Sequence, residues 1–193
     1  MNQLSLFPIV AQPEGFIYQA DFLSQEEEAD LLRVIRGLEF QVFDFRGFKA
    51  KRRIVAYGWD YDFASRKATP GRAIPDFLFF LQKRCAEFIG VRTEDIVEAV
   101  VTEYPPTAPI GWHRDVAQFE TISGISLLSS CRMRLRPFNR EGRSYAIALE
   151  PRSIYMLSGA ARWNFQHSIP AVEQLRYSIT FRTLRQRQEK QAG

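Results

Sequence analysis

From Asp95 onward the chain is written in short runs of Val, Ile, Leu, Tyr and Phe, broken by Pro, Gly, Ser or Asn. Runs of that length between turn residues are too short for helices and read as strands. They predict strands at residues 96–104, 122–128, 131–136, 145–149, 153–157 and 176–184. Several short strands in succession must each bury one face, and the available solutions are a sandwich or a barrel. The last run says most, because Arg176, Ser178, Thr180 and Arg182 alternate with Tyr177, Ile179 and Phe181. Successive side chains of a strand point to opposite faces, so one face is apolar and the other carries two arginines. Such a strand either sits at an edge with its polar face in water, or lines a closed interior. In an interior the arginines need anionic partners, because unpaired buried charge is costly.

Before residue 95 the signals are helical. Ser24-Gln25-Glu26-Glu27 has the capping-box pattern, and Leu31, Leu32, Ile35 and Leu38 follow at helical spacing, with Gly37 as a stop. A second helix is predicted from Pro75 to Phe88, with Leu78, Leu81, Cys85 and Phe88 on one stripe and Gly90 beyond it. Both helices read as supports, which makes the expected fold mainly β with supporting α. At 193 residues, with 46% hydrophobic and 25% charged, the chain is long enough for one sizeable core. Cys85 and Cys131 form no Cys-x-x-Cys pair, so they read as buried thiols. No stretch is apolar enough to span a membrane, and residues 1–10 lack a basic start followed by a long apolar run, so a cytoplasmic monomer is expected.

The net charge of +4 is unevenly spread: residues 131–193 hold 12 Lys+Arg against 4 Asp+Glu, and residues 1–130 hold 14 against 18. Arg132, Arg134 and Arg136 alternate as residues on one strand face do, and Arg46, Lys49, Lys51, Arg52 and Arg53 form a second basic run. Faces of this kind suit a phosphate backbone, or are solvated without a partner.

The chain has two histidines, and both fall in one pattern: His113-x-Asp115, then His167 about fifty residues later. One intervening residue in an extended segment puts His113 and Asp115 on the same side. Two imidazoles and one carboxylate hold a non-haem Fe(II) on one face and leave positions open. His167, just before the last predicted strand, could complete the set.

These residues, together with Arg162-Trp163-x-x-x-His167, Ser168-Ile169-Pro170, Arg176-x5-Arg182, Ala56-Tyr57-Gly58 and the segment from Phe16 to Ser24, resemble the AlkB family of Fe(II)- and 2-oxoglutarate-dependent dioxygenases. The resemblance covers nearly the whole chain. It implies a double-stranded β-helix, or jelly roll, with helices packed outside. One domain is then expected over residues 1–193: helical support and substrate lid to about 94, jelly-roll core at 95–185, and a tail at 186–193. It also implies iron held by His113, Asp115 and His167, with molecular oxygen and 2-oxoglutarate as co-substrates. Arg176 would pair with the distal carboxylate of 2-oxoglutarate, Arg182 would line the same site near the iron, and Tyr104 would contact the co-substrate. The chain departs from the family at Thr102 and Ser178, each standing where asparagine is usual; both can hydrogen-bond, but with a shorter reach.

The family chemistry couples decarboxylation of 2-oxoglutarate to hydroxylation of a C–H bond, and a hydroxylated N-alkyl group then leaves as an aldehyde. Alkylated DNA or RNA is the expected partner, in alkylation-damage repair. Tyr57, Trp59 and Tyr61 fall where the family carries its nucleotide-recognition lid; they would grip an unstacked base, or else form core packing of a hairpin. Val116, Ala117 and Gln118 stand where the resemblance to repair members would place a carboxylate, and Glu120 is the candidate to substitute for it. Two other readings stay open: a protein side-chain hydroxylase or demethylase, and a nucleic-acid-binding module with a vestigial iron site.

Overall fold

The computed structural model describes residues 12–45, 48–62 and 67–185. In chain order the elements begin with β1 (Phe16–Gln19), α1 (Gln25–Ile35), β2 (Gln41–Phe45), the long β3 (Phe48–Asp62), β4 (Lys67–Pro70) and α2 (Phe79–Ile89). They continue with β5 (Ile96–Tyr104), β6 (Ile110–His113), β7 (Phe119–Leu127), β8 (Cys131–Pro137), β9 (Tyr145–Leu149) and β10 (Ile154–Leu157). A short α3 (Gly159–Trp163), β11 (Phe165–Ile169) and β12 (Arg176–Leu184) complete the fold.

The strands form two antiparallel sheets. The larger runs β1-β10-β7-β12-β5-β3-β2, with β4 paired to β3, and the smaller runs β6-β11-β8-β9. This is the mainly β, two-sheet architecture expected, with helices outside. Three strands match their sequence-based bounds (β5, β9 and β12), and β7, β8 and β10 differ by one to three residues at an end.

The alternation in β12 decides how the layers are used. Tyr177, Ile179 and Phe181 pack with Ala99 and Val101 of β5 against Leu31, Leu32 and Ile35 of α1 and Leu81, Cys85 and Ala86 of α2. Each helix has 11 residues, too short to be stable alone in water. Each persists because burying a Leu or Ile contributes about 1.5–3 kcal/mol. The ends are closed as the sequence predicts: Ser24 and Glu27 satisfy each other's backbone amides in a complete capping box, and Gly90 caps α2 in the left-handed conformation. Gly37 does not play that role, since α1 ends at Arg36 in right-handed geometry. The residues expected to begin the second helix form a 3-10 turn at Asp76–Leu78 instead. Cys85 is fully buried, and burial pushes its thiol up to about 12; neither cysteine is in a disulfide.

A second core lies between the sheets, where Phe119, Ile122, Tyr155 and Leu157 meet Met133, Leu135, Ile147 and Leu149. The polar alternates of β12 face this same interior. One helix side and one chamber side thus share a single sheet, and the functional groups lie on the chamber side.

Candidate iron centre and the chamber behind it

Two strands the sequence reading leaves as connecting segments, β6 and β11, supply the centre. They pair antiparallel with His167 directly opposite His113, and the two rings lie 4.2 Å apart. Asp115 is not on the strand, because β6 ends at His113, and its carboxylate enters from the following loop. The three ligand groups come within 4.8 Å of one another. Asp115 Oδ2 stands 3.6 Å from His167 Nε2, is buried and has no hydrogen-bond partner among the described residues. A buried carboxylate oxygen without a donor, beside two imidazoles, is a donor set that fits a divalent cation.

The other carboxylate oxygen is fully engaged. Arg182 donates to Asp115 Oδ1 from Nε at 3.1 Å and Nη2 at 2.8 Å, and its Nη1 is paired with buried Glu98. Burial alone would raise the Asp115 carboxyl, but Arg182 and the two histidines outweigh it and hold it well below the usual carboxylate range. Burial, and then the neighbouring His113, push His167 down to about 3, which keeps its imidazole neutral and able to bind a metal. The loop carrying Asp115 is tied down by Arg162, which is 3% exposed and donates from Nη2 to the backbone oxygens of Asp115, Val116 and Phe119.

Deeper in the chamber, Arg176 is 1% exposed. Its Nε donates to Ser126 Oγ at 3.2 Å, its guanidinium lies over the Tyr104 ring, and Nη1 has no hydrogen-bond partner among the described residues. Register brings Thr102, Ser178 and Ser126 side by side across β5, β12 and β7, a row of three buried hydroxyl residues next to Arg176. Tyr155 closes the floor, buried and aligned with Gly124. Burial, then the Asp115 and Tyr104 charges, raise its phenol. A Cβ on Gly124 would lie 2.4 Å from the Tyr155 ring, so this glycine is what lets the tyrosine lie flat against the sheet. Gly124→Ala is therefore expected to displace Tyr155 and destabilise the fold by about 1–3 kcal/mol, measured by denaturant titration.

The substrate residues expected from sequence are scattered. Tyr57 packs in the helix-side core, on the face of β3 and β5 opposite the chamber, with Arg72 over its ring. Trp59 borders a separate cavity of about 340 Å³ that Glu39, Gln41, Tyr57 and Arg72 also line. The side chains of Tyr61, Arg46 and Lys49 lie outside the described residues. Glu120 accepts a hydrogen bond from Trp163 Nε1 at 3.0 Å and lies 3.7 Å from Arg185. Of the second basic run, Arg53 is spent on Glu103 at 2.6 Å and Lys51 donates to Thr107.

Two residues of the site, Glu98 and Tyr155, are missing from the sequence reading, as is the clamp role of Arg162. Glu98 left one trace, a lone carboxylate in the apolar run from Val97 to Val101.

The sequence profile described as the 2OG-Fe(II) oxygenase superfamily matches residues 15–182. The chain belongs to that superfamily. That is a superfamily of Fe(II)- and 2-oxoglutarate-dependent oxygenases, and His113, Asp115 and His167 form the group here that could hold the iron. Among curated proteins it is 32% identical over 161 residues to the bovine alpha-ketoglutarate-dependent dioxygenase alkB homolog 7, mitochondrial, covering 80% of this chain and 64% of that protein. It is 26% identical to an Arabidopsis thaliana protein named alkylated DNA repair protein ALKBH8 homolog, covering 81% of this chain and 51% of that one. The chain thus spans between half and two thirds of these relatives. Its fold matches the structure of OsALKBH1 with a TM-score of 0.67 at 16% identity, covering 88% of this chain and 96% of that one. It also matches a Pseudomonas putida prolyl-4-hydroxylase with a TM-score of 0.62 at 15% identity, covering 89% and 93%. Among the described residues no helix is long and apolar enough to cross a membrane.

Proposed function

We propose that this AlkB-like oxygenase removes alkyl groups oxidatively from N-alkylated nucleobases in DNA or RNA. One chamber juxtaposes an iron site, with Asp115 Oδ2 left for the metal, and a buried arginine with an unpartnered Nη1, and this carries the reading. Arg176 takes the distal carboxylate of 2-oxoglutarate, an anion of the charge and reach its position demands. Tyr104 packs against that guanidinium, and Thr102 and Ser178 offer hydroxyls along the co-substrate. Arg182 stays on Asp115 and Glu98 and orients the iron ligand. Iron bound there would supply the C–H oxidation with molecular oxygen as the oxidant, one oxygen atom going to the substrate carbon and the other to succinate as 2-oxoglutarate loses CO2. The protein's own part is to hold one open coordination face toward the substrate and keep the chamber dry.

Two observations support the nucleobase: the name of the Arabidopsis relative, and the basic C-terminal third. Incubating the iron-loaded chain with 2-oxoglutarate and oligonucleotides carrying N-methylated bases tests it, with formaldehyde release and restored unmethylated base expected. Succinate formation stimulated only by a protein would transfer the activity to a side-chain substrate. Oligonucleotide binding without succinate would leave a binding module. The cytoplasmic setting is proposed with it, and recovery in a mitochondrial fraction, the compartment named for the bovine relative, would overturn that part.

A further inference from the structure

The outward side of the smaller sheet is not used by the iron chemistry. Arg132, Arg134 and Arg136 alternate along β8 with inward Met133 and Leu135, so all three guanidiniums lie on the outer face. Among the described residues no carboxylate lies within salt-bridge reach of these three. Arg134 and Arg136 are fixed by neutral partners: they donate to Ser168 Oγ and Gln166 Oε1, each at 3.1 Å, and lie over the Trp112 ring at 5.0 and 4.2 Å. Their charges are held in place without being neutralised. β8 then runs into Phe138, whose ring is 53% exposed, with Arg114 at 3.9 Å from its centroid. Arg114 stands between the iron ligands His113 and Asp115, so the basic face runs to the rim of the chamber.

We propose that this outer face anchors a single-stranded nucleic acid, with the three β8 arginines on successive phosphates and Phe138 as a stacking platform for a base. Alternate residues of a strand repeat at about 6.8 Å, close to the separation of consecutive phosphates in an extended strand. Guanidiniums match phosphate oxygens in planar, bidentate geometry. An exposed aromatic beside a basic track is the combination that binds single strands without reading their sequence. An acidic peptide would meet the arginines but leave the exposed ring unused. The proposal deepens the nucleobase reading and rests on it for the choice of nucleic acid over other polyanions.

The test is binding of an unmodified, fluorescently labelled single-stranded 15-mer to the full iron-loaded chain without 2-oxoglutarate, over a salt series, with polyglutamate as competitor. Arg132→Gln/Arg134→Gln/Arg136→Gln is expected to lower the slope of log affinity against log salt by about 2, from roughly 0.7 per phosphate contact. Because Arg134 and Arg136 pack on Trp112, two gentler variants serve as well. Exposed Arg132→Glu is expected to lower the slope by about 0.7, and Phe138→Ala to weaken binding about tenfold at unchanged slope. Unchanged slopes in both arginine variants, or a wild-type chain that does not bind the 15-mer, overturn the surface. Polyglutamate displacing the 15-mer at lower charge concentration overturns the choice of nucleic acid in favour of an acidic protein. Variant-sensitive binding by a chain that demethylates no oligonucleotide refutes the nucleobase reading and leaves the anchoring surface intact.

Discussion

Arg182→Ala is expected to cost about 3–5 kcal/mol of folding stability and most of the iron affinity. Arg182 is the shared cation of two buried carboxylates, Asp115 and Glu98, whose side chains are each 7% exposed. Its removal takes from both the guanidinium they share, and a buried charge stripped of such a partner is worse than a pair that was never there. Asp115 also loses the two donors that hold Oδ1, and with them the orientation that turns Oδ2 toward the histidines. Outer partners that orient a metal ligand are typically worth 10- to about 100-fold in metal affinity. Denaturant titration without metal reads the first effect, and Fe(II) titration reads the second. Arg182→Lys should recover part of the stability, since it returns the charge, and less of the iron affinity, since an ammonium cannot reproduce the two-donor grip. Metal-free stability unchanged in Arg182→Ala would refute the shared-cation role.

Arg176→Ala is expected to raise the 2-oxoglutarate requirement by more than about a hundredfold, the equivalent of about 3 kcal/mol. The argument is the converse of the first. Arg176 is more deeply buried, but among the described residues its partners are a serine hydroxyl and an aromatic face, with Nη1 unsatisfied. Under the proposed function its anion arrives with the co-substrate. Removing it therefore opens a cavity but also relieves a buried cation without a carboxylate, so metal-free stability should fall less than in Arg182→Ala. Iron affinity should be retained, because Arg176 touches none of the three ligands. Co-substrate titration of succinate formation, beside Fe(II) binding, checks both halves. An unchanged apparent affinity for 2-oxoglutarate removes Arg176 from the co-substrate site. These two arginines lie on one face of one strand, six residues apart in sequence, and are expected to fail in opposite ways.

The parts of the fold legible in sequence are those whose local pattern and tertiary use agree. β5, β9 and β12 alternate or run apolar between turn residues, and α1 announces its start with a capping box. β6 and β11 do not announce themselves: Ile-Gly-Trp-His and Phe-Gln-His-Ser-Ile mix apolar, polar and small residues, and they become strands by pairing with each other and, for β11, with β8. The aromatic run of β3 shows the opposite failure. Tyr57 and Trp59 carry the right residue types for gripping a base, yet Tyr57 faces the helices, because Tyr57 aligns with Ala99 and Ala99 with Phe181 on the apolar side of the sheet.

What the sequence determined by itself is the chemistry: two histidines and an aspartate in a ligand pattern, two arginines at matched parity on a polar strand face, and enough short strands to enclose them. Tertiary structure decided how those groups are divided. It paired Arg182 with Asp115 and Glu98, gave Arg176 no carboxylate among the described residues, and tied the Asp115 loop with Arg162. These assignments depend on contacts between residues far apart in the chain, where low dielectric and burial make the choice of charge partner decisive, and no local pattern encodes that choice.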